Sequence, residues 1–434
     1  MAGEAATTTN YYYYVKQGAN GNGSSWKDAS GNLQAMIDAA YTVGGGQVWV
    51  WKGTYLPSQS LSADARDKAF LLKDNVEIYG GFTKEVIPDE TGGLAPAFGF
   101  GSRSGKSVLS GDLGASSCFH VVVAAGLNKA RLDGFTITSG NAEGTGSTEL
   151  KAYMIAQGCG GGLYVTEPFN GLLLSDLTIS GNTAGKGGGI YMEKGSKAQK
   201  AVLANMLVCD NSALEQGGGL YVVNASPYLV NMTVTANTAA AGGGISVEAN
   251  QTSFASPSLL NTLVYGNQAK GNRQMDMSAA GGASWNAVNS LTGVDPKFGA
   301  GYVLTAGSPA IDAGETQVYT ALGLSVPTTD LGGNSRVSGS SIDLGAFEYA
   351  ATVNAPSVPK ASKVLDAPLQ ATVGSEGLLI RGLQPGTMLY IYNMSGQLLY
   401  QARVSGETQN ITSLQGGAVY IVSNEGRRVK TLAE

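Results

Sequence analysis

The residues best suited to chemistry lie in a phrase that the chain repeats. It reads GGGLYV at 160–165 and 217–222, GGGIYM at 187–192 and GGGISV at 242–247. The same position therefore holds Tyr164, Tyr191 and Tyr221 in three copies and a serine in the fourth. Aromatic rings present flat apolar faces with a polar tip, which suits stacking against sugars. These three tyrosines are the first candidates for a ligand-binding surface.

Ionisable side chains accompany the tyrosines. Glu193 and Glu248 close two of the repeated phrases, and Lys186 precedes one. A polysaccharide lyase needs a basic residue that removes a proton, and a hydrolase needs two carboxylates at a defined separation. Both reactions are open to this set of residue types, so the spacing set by the fold decides between catalysis and binding.

The interval between repeats predicts the fold. Asparagine ends a second repeated phrase at intervals of 26 to 30 residues, about one turn of a coil of three short strands. Strand-like runs such as LTIS and MTVT alternate β-branched residues with others, and no helical pattern intervenes. We expect an all-β chain built as a parallel β-helix. The asparagines of this column are Asn182, Asn211, Asn237 and Asn267.

Stacked rungs fix what each column can do. Equivalent residues of successive rungs lie about 4.8 Å apart, and asparagine amides at one position can bond along the stack. We therefore predict a structural ladder at the asparagine column. A second column six residues earlier, which we interpret in the same way, consists of Asp176, Asn205, Asn231 and Asn261. Asparagine also tolerates the left-handed backbone of a sharp corner.

The tyrosines are predicted to point outward, because the residues on both sides of each are apolar and alternate strand positions face opposite sides. Glu193 and Glu248, two rungs apart, would have backbones about 10 Å apart, at or past the upper range for an inverting hydrolase. Lys186 has no basic neighbour in its column. Stacked tyrosines stabilise neighbouring strands by cross-rung contacts, which is the favoured interpretation of the column, and a sugar-binding strip is the functional one. For the whole chain we predict a surface protein that binds a glycan along this face or serves as an adhesin or envelope scaffold. A polysaccharide lyase or glycoside hydrolase of pectate-lyase-like fold is the alternative.

One insertion interrupts the repeat. The interval from Asn141 to Asn182 is longer than the others, so the segment 142–158 is inserted. Insertions in solenoids tend to cluster on the binding face. Lys151 and Tyr153 in this segment are therefore candidates to overhang the tyrosines.

Composition excludes two classes of partner. The net charge is −5 and no basic stripe is present, which argues against a nucleic-acid partner. No apolar run is long enough to span a membrane. The 63 glycines among 434 residues are about twice the usual share, as expected for a chain with many turns.

The amino-terminal part carries a family resemblance. The stretch 11–57, with the letters VWVWKGTYLP at its end, and VEIYGGF at 76–82 are followed by LDGFTITSGNA at 132–142. These resemble right-handed parallel β-helix surface proteins of Bacteroidetes-type bacteria, which are related in fold to pectate lyases. The resemblance implies an amino-terminal cap with a helix near 32–42 over the open end of the coil. Residues 1–10 are predicted to be disordered and residues 11–350 to form the β-helix.

The segment after the repeats resembles the choice-of-anchor Q region of such surface proteins, through AGSPAIDAG at 306–314 and SIDLGAFEY at 341–349. Its carboxylates Asp312, Asp330 and Asp343, with Glu348, are weak calcium candidates, because hard cations prefer oxygen ligands. Arg336 lies among them, so we favour salt-bridged closure of the carboxy-terminal end. No cofactor is otherwise predicted.

The last part of the chain has a different pattern. Residues 351–368 are rich in alanine, proline and serine and are predicted to be a linker. Residues 369–434 contain short alternating strands and are predicted to form a small β-sandwich. YIYNMSGQLLY at 390–400 and GGAVYIV at 416–422 resemble the type IX secretion sorting domain. The resemblance implies export through that machinery to the outer-membrane surface or the medium, where a polysaccharide or cell-surface glycan would be the partner.

Overall fold

The computed structural model of the chain describes residues 11–86, 103–168, 171–195, 200–250, 253–270, 276–350, 370–374, 377–383, 387–392, 398–412, 419–424 and 427–432. It divides into two compact units, residues 1–351 and 352–434. The predicted disordered segment 1–10 and the predicted linker 351–368 lie outside the described residues.

The first unit is a parallel β-helix whose rungs stack in register, which confirms the predicted all-β class. Two faces belong to one 15-stranded sheet that bends at a corner. The first face contains Tyr12–Val15, Gly46–Trp51, Val76–Phe82, Ala130–Asp133, Leu172–Ser175, Ser258–Leu260 and Asn286–Val288. The second face contains Gly53–Tyr55, Ser107–Ser110, Phe135–Thr138, Thr178–Ser180, Leu263–Tyr265 and Leu291–Thr292. Val202–Cys209 and Tyr228–Thr235 run through the corner into both faces.

Two smaller sheets complete the coil. The third face contains Asn141–Ala142, Thr183–Lys186, Ser212–Gln216, Thr238–Ala239 and Gln268–Ala269. The fourth face contains Gln59–Ser60, Lys68–Leu71, Val122–Ala125, Leu163–Thr166, Ile190–Glu193, Leu220–Val223, Ile245–Glu248 and Met277–Ala280. The inserted segment contributes an antiparallel hairpin, Ser147–Leu150 with Tyr153–Ala156.

A helix covers the amino-terminal end of the coil, as predicted. It runs over Leu33–Thr42, and the side chain of Asn32 caps its first turn by accepting from the amide of Ala35. Leu33 and Ile37 are buried and belong to the same apolar cluster as the interior of the coil. The helix therefore shields the apolar end of the first rungs from water.

The predicted asparagine ladder lies inside the coil. The side-chain Nδ2 of Asn182 donates to Oδ1 of Asn211 over 3.0 Å, and Asn211 donates in the same way to Asn237 over 3.0 Å. Asn237 donates to Asn267, and Asn267 to the carboxylate of Asp276, each over 2.9 Å. Each amide also satisfies backbone groups of two rungs, so the ladder joins neighbouring turns.

The residues with a left-handed backbone conformation are not the asparagines of the ladder. In the ladder column the positive φ belongs to the preceding residue, for example Asp210 at 55° and Ala236 at 54°. In the second column the polar residue itself is left-handed, as in Asn205 at 53° and Asn231 at 46°. This second column, with Gly134 before it, forms the corner between the first and second faces, and we call it the corner column: Gly134, Asp176, Asn205, Asn231 and Asn261.

The segment after the last rung packs along the side of the coil. We call residues 317–349 the strap; it begins with a short helix, Gln317–Ala321, and a 3-10 helix lies before it at Ala300–Tyr302. Tyr319 and Ile342 of the strap pack against Ala204 and Val230 on the first face. Apolar strap residues therefore bury themselves on the outer face of the sheet, and the predicted closure of the carboxy-terminal end stays a prediction.

The second unit consists of two antiparallel sheets around a small core, as predicted for a β-sandwich. One sheet contains Gln370–Gly374, Gly377–Arg381 and Thr408–Ile411, and the other contains Met388–Tyr392, Leu398–Arg403, Val419–Asn424 and Arg427–Leu432. Ile380 from the first sheet and Leu389 from the second meet in the same apolar cluster. Across the described parts of both units, no helix has the length and apolar character needed to cross a membrane.

Candidate functional site

The tyrosine column forms in the predicted register. Tyr164 lies opposite Tyr191, Tyr191 opposite Tyr221, and Tyr221 opposite Ser246. The rings belong to an apolar cluster separate from the interior of the coil, so they do point out of it. The predicted direction of these side chains is therefore correct.

The expectation that this column forms an open strip is wrong. Tyr164 is 1% exposed, Tyr191 8% and Tyr221 2%. Neighbouring ring centroids are 5.0 and 5.8 Å apart. Each ring therefore packs against the next one along the coil axis, and that neighbour covers its face. Packing at the rung spacing thus leaves a ligand almost no ring surface to contact.

The accompanying residues also cover the column. The hydroxyls of Tyr164 and Tyr191 donate to the two oxygens of Glu193 over 3.0 and 3.2 Å, and that of Tyr221 donates to Glu248. Burial raises the pKa of all three tyrosines. The two glutamates therefore serve as acceptors for buried hydroxyls.

The inserted hairpin lies over the start of the column. Ile155 is buried against the tyrosine cluster and Tyr153 packs beside it, while Lys151 is exposed at the turn. Lys186 approaches the ring of Tyr221 at 5.8 Å and pairs with Glu215 at 3.4 Å. The structure thus brings the predicted site residues together as a packed layer, and a ligand role for them stays a prediction.

The layer predicts a modest effect for Tyr191→Phe. The ring stacking is retained and Glu193 keeps its bond from Tyr164, so we expect a loss of about 1 kcal/mol in the free energy of unfolding, from the missing hydrogen bond. Chemical denaturation measures this, and glycan binding should not change. A loss of glycan binding without a loss of stability would show that the tyrosines belong to the binding site.

A cavity of about 750 Å³ lies elsewhere, on the outer side of the corner column. One wall is the coil, where Arg131, Ser175, Asp176 and Asn205 line it together with the ring of Tyr79. The other wall is the strap, through Tyr319 and residues 323–331. A concave space lined by apolar residues and a few converging polar groups is the usual form of a ligand site.

A buried carboxylate organises the floor of this cavity. Asp133 is fully buried and pairs with Arg103 and, over 2.7 Å, with Arg131. The hydroxyl of Ser175 donates to it over 2.5 Å. The two guanidinium groups hold the pKa of Asp133 at about 2, against the effect of burial. Both arginines also lie over the ring of Tyr79, at 5.4 and 5.0 Å from its centroid.

Asp176 lies beside this cluster, and its pKa is much higher than that of Asp133. It occupies the corner position one rung from Gly134, and Nδ2 of Asn205 donates to it. Burial and the nearby charge of Asp133 raise the pKa of Asp176 to about 7. Neighbouring carboxyl groups with pKa values far apart occur at many functional sites, where they divide the roles of acid and charged partner.

The strap is fixed to the corner column below the cavity. Arg336 is 0% exposed; its Nη2 donates to the carbonyl oxygens of Asp343 and Gly345 over 3.2 and 2.7 Å. Its Nε lies 3.3 Å from Glu348, which is also buried. Asn231 donates to the same two carbonyl oxygens from the coil side. The predicted ion pair of this segment therefore exists within the strap, and the bonds from Asn231 join the strap to the coil.

The carboxylates proposed as calcium candidates accept backbone amides. Asp312 accepts from Ser340 and Ser341, and Asp343 accepts from Asp312 and Tyr349. Asp330 accepts from the amides of Asn334 and Glu348. Within the described ranges no group of three or more histidine, cysteine, aspartate or glutamate side chains is placed to hold a metal ion.

Sequence reasoning missed the cavity, although one signal was present. The corner column has asparagine in three rungs, whereas the two rungs before them have Gly134 and Asp176, which line the cavity. Arg131 and Asp133 sit just before that glycine. A departure from a repeated residue at one end of a column is thus the feature that could have located the site.

Comparisons with known proteins add little beyond the repeat. The Chlamydia polymorphic membrane protein (Chlamydia_PMP) repeat matches residues 176–193, which run from the cavity carboxylate to the second tyrosine phrase. No curated protein matches the chain. Among solved structures, the A-module of the Azotobacter vinelandii mannuronan C-5 epimerase AlgE4 is 14% identical, covering 61% of this chain and 92% of its own, with a TM-score of 0.16. That score is too low to carry an argument about function.

Proposed function

We propose that this chain is a secreted or cell-surface β-helix protein that binds a glycan in the cavity above the corner column. The observation that carries the proposal is the cavity itself, where polar groups of the coil face the strap. Arg131 and Asp176 are partly exposed there and supply hydrogen-bonding groups of the kind that pair with sugar hydroxyls. The β-helix then acts as a rigid support that displays this site, as an adhesin or envelope scaffold would.

The surface location rests on two further supports. The repeat that matches residues 176–193 is named for a membrane protein of Chlamydia. The second unit resembles the type IX secretion sorting domain in its hairpin and following strand, and such a unit would deliver the protein through that machinery. Export through this route, and a Bacteroidetes-type source, are part of the proposal.

The alternative function, a polysaccharide lyase or glycoside hydrolase, has one observation in its favour. The separated pKa values of Asp133 and Asp176 are the pattern of an acid and its charged partner. However, Asp133 is fully buried, and its oxygens are engaged by Arg103, Arg131 and Ser175. It is therefore not placed to act as a nucleophile or base, and binding is the better supported function.

Blocking the cavity tests the proposal. Thr178 is a half-buried threonine that lines it, so Thr178→Trp should fill the space and weaken glycan binding at least tenfold. Thr183→Trp is the matched control, because Thr183 is a half-buried threonine of the same rung on the third face, away from the cavity. A glycan array followed by titration calorimetry measures both variants of the full chain. Equal binding by the two variants would contradict the proposal, and release of unsaturated or reducing sugars would favour the enzyme.

A further inference from the structure

We propose that the ligand of the corner cavity is an anionic saccharide, whose carboxylate or sulfate group binds between Arg131 and Lys106. This inference rests on the proposed function and names the class of glycan.

The first step is the charge of the floor. Arg131 is held by the buried carboxylate of Asp133, and Lys106 lines the same coil side of the cavity. Asp330, on the strap side, directs its oxygens to amides of Asn334 and Glu348. Two cationic side chains therefore line the coil side of the cavity, although the whole chain has a net charge of −5.

The second step is the hydrogen-bonding capacity of Arg131. Its Nε and Nη2 donate to Asp133 over 3.2 and 2.7 Å, and its side chain is 31% exposed. No partner of Nη1 is found in the described part of the chain. A fixed guanidinium with a remaining donor suits a planar carboxylate or a sulfate. Lys106 lies exposed at the rim of the same cavity and adds a second cation.

The third step is an orphaned hydroxyl in the opposite wall. Tyr319 is 1% exposed and lines the cavity, yet its hydroxyl has no hydrogen-bond partner among the described residues. Most buried side-chain hydroxyls have a partner, so this one is available to a water or a ligand in the cavity. A ligand or its ordered water bonded to Tyr319 on one side and Arg131 on the other would span the cavity.

Asp176 makes this binding sensitive to pH. The groups that face it are Asp133, Arg103 and Arg131 from the coil and Tyr319 from the strap. Because its pKa of about 7 lies above the ordinary value, Asp176 is neutral below pH 7 and charged above it. A charged Asp176 repels an anionic ligand, so affinity should fall as the pH rises from 6 to 8, by up to tenfold.

Matched sugars test the class of ligand. Methyl glucuronide and glucose 6-sulfate, each titrated into the full chain, are compared with methyl glucoside, which lacks the charge. We expect at least one charged sugar to bind ten times more tightly than the neutral one, and the two charged probes identify which group is preferred. Equal affinities for charged and neutral sugars would overturn the inference and leave the proposed function intact. If no saccharide binds, the proposed function itself fails.

Two variants test which residues sense the charge of the ligand. Lys106→Met should weaken binding of the charged sugar about threefold and leave the neutral sugar unaffected, and it should fold because Lys106 is exposed. Asp176→Asn should remove the pH dependence. Asparagine is tolerated at this corner, since the next three rungs carry it in the same left-handed conformation. Retention of the full pH dependence in Asp176→Asn would contradict the role of its proton.

Discussion

Asn211→Ala should lower the free energy of unfolding of the β-helix by about 4 kcal/mol. The Nδ2 of Asn211 donates to the carbonyls of Ile179 and Cys209 and to the next amide of the ladder. Its Oδ1 accepts from the backbone and the side chain of Asn182. Alanine removes five hydrogen bonds and leaves several fully buried groups unpaired, each at a cost of about 1–3 kcal/mol before relaxation. Calorimetric unfolding of the full chain measures the loss.

The control for this substitution is the next residue. Ser212 is half-buried on the third face, and its hydroxyl accepts a bond from Thr238 at the surface. Ser212→Ala should therefore change stability by no more than about 0.5 kcal/mol. If both variants were equally stable, the ladder would not be the element that joins the rungs.

Arg336→Met should destabilise the first unit by about 3–5 kcal/mol above pH 8, where Glu348, whose pKa is raised to about 8 by burial, is charged. Removal of one partner of a buried ion pair then leaves the other charge in an apolar environment without compensation. The carbonyl oxygens of Asp343 and Gly345 also lose a donor. Because Arg336 organises the interior of the strap that forms one wall of the cavity, we expect glycan binding to fall together with stability.

Two comparisons isolate the ion pair. The double variant Arg336→Met with Glu348→Gln should recover part of the loss, because the uncompensated charge is gone. Lys194→Met should have almost no effect, since Lys194 is half exposed and 3.7 Å from Glu193. A double variant less stable than Arg336→Met alone would show that packing, rather than charge, holds the strap.

Much of the coil could be predicted because its geometry repeats. Asn182 and Asn211 recur at one rung spacing, and that interval together with the strand pattern is sufficient to predict the stacking and the internal ladder. The direction of Tyr164 also follows from strand alternation. These properties depend on local sequence and on contacts with the equivalent residue of the next rung.

The candidate site could not be predicted in the same way. Whether Tyr191 is exposed depends on how its ring tilts against its neighbours and on the hairpin around Ile155, neither of which the repeat specifies. The cavity depends on Tyr319 and Arg336, which reach the corner column from more than a hundred residues further along the chain. Such contacts are properties of the strap's path, which no periodic pattern encodes.

A crystal structure of the full chain soaked with the oligosaccharide that binds most tightly on the array tests the central claim most directly. We predict sugar density in the corner cavity, within hydrogen-bonding distance of Arg131 and Asp176. Sugar density along the tyrosine column or the inserted hairpin, with the corner cavity free of it, would contradict the account.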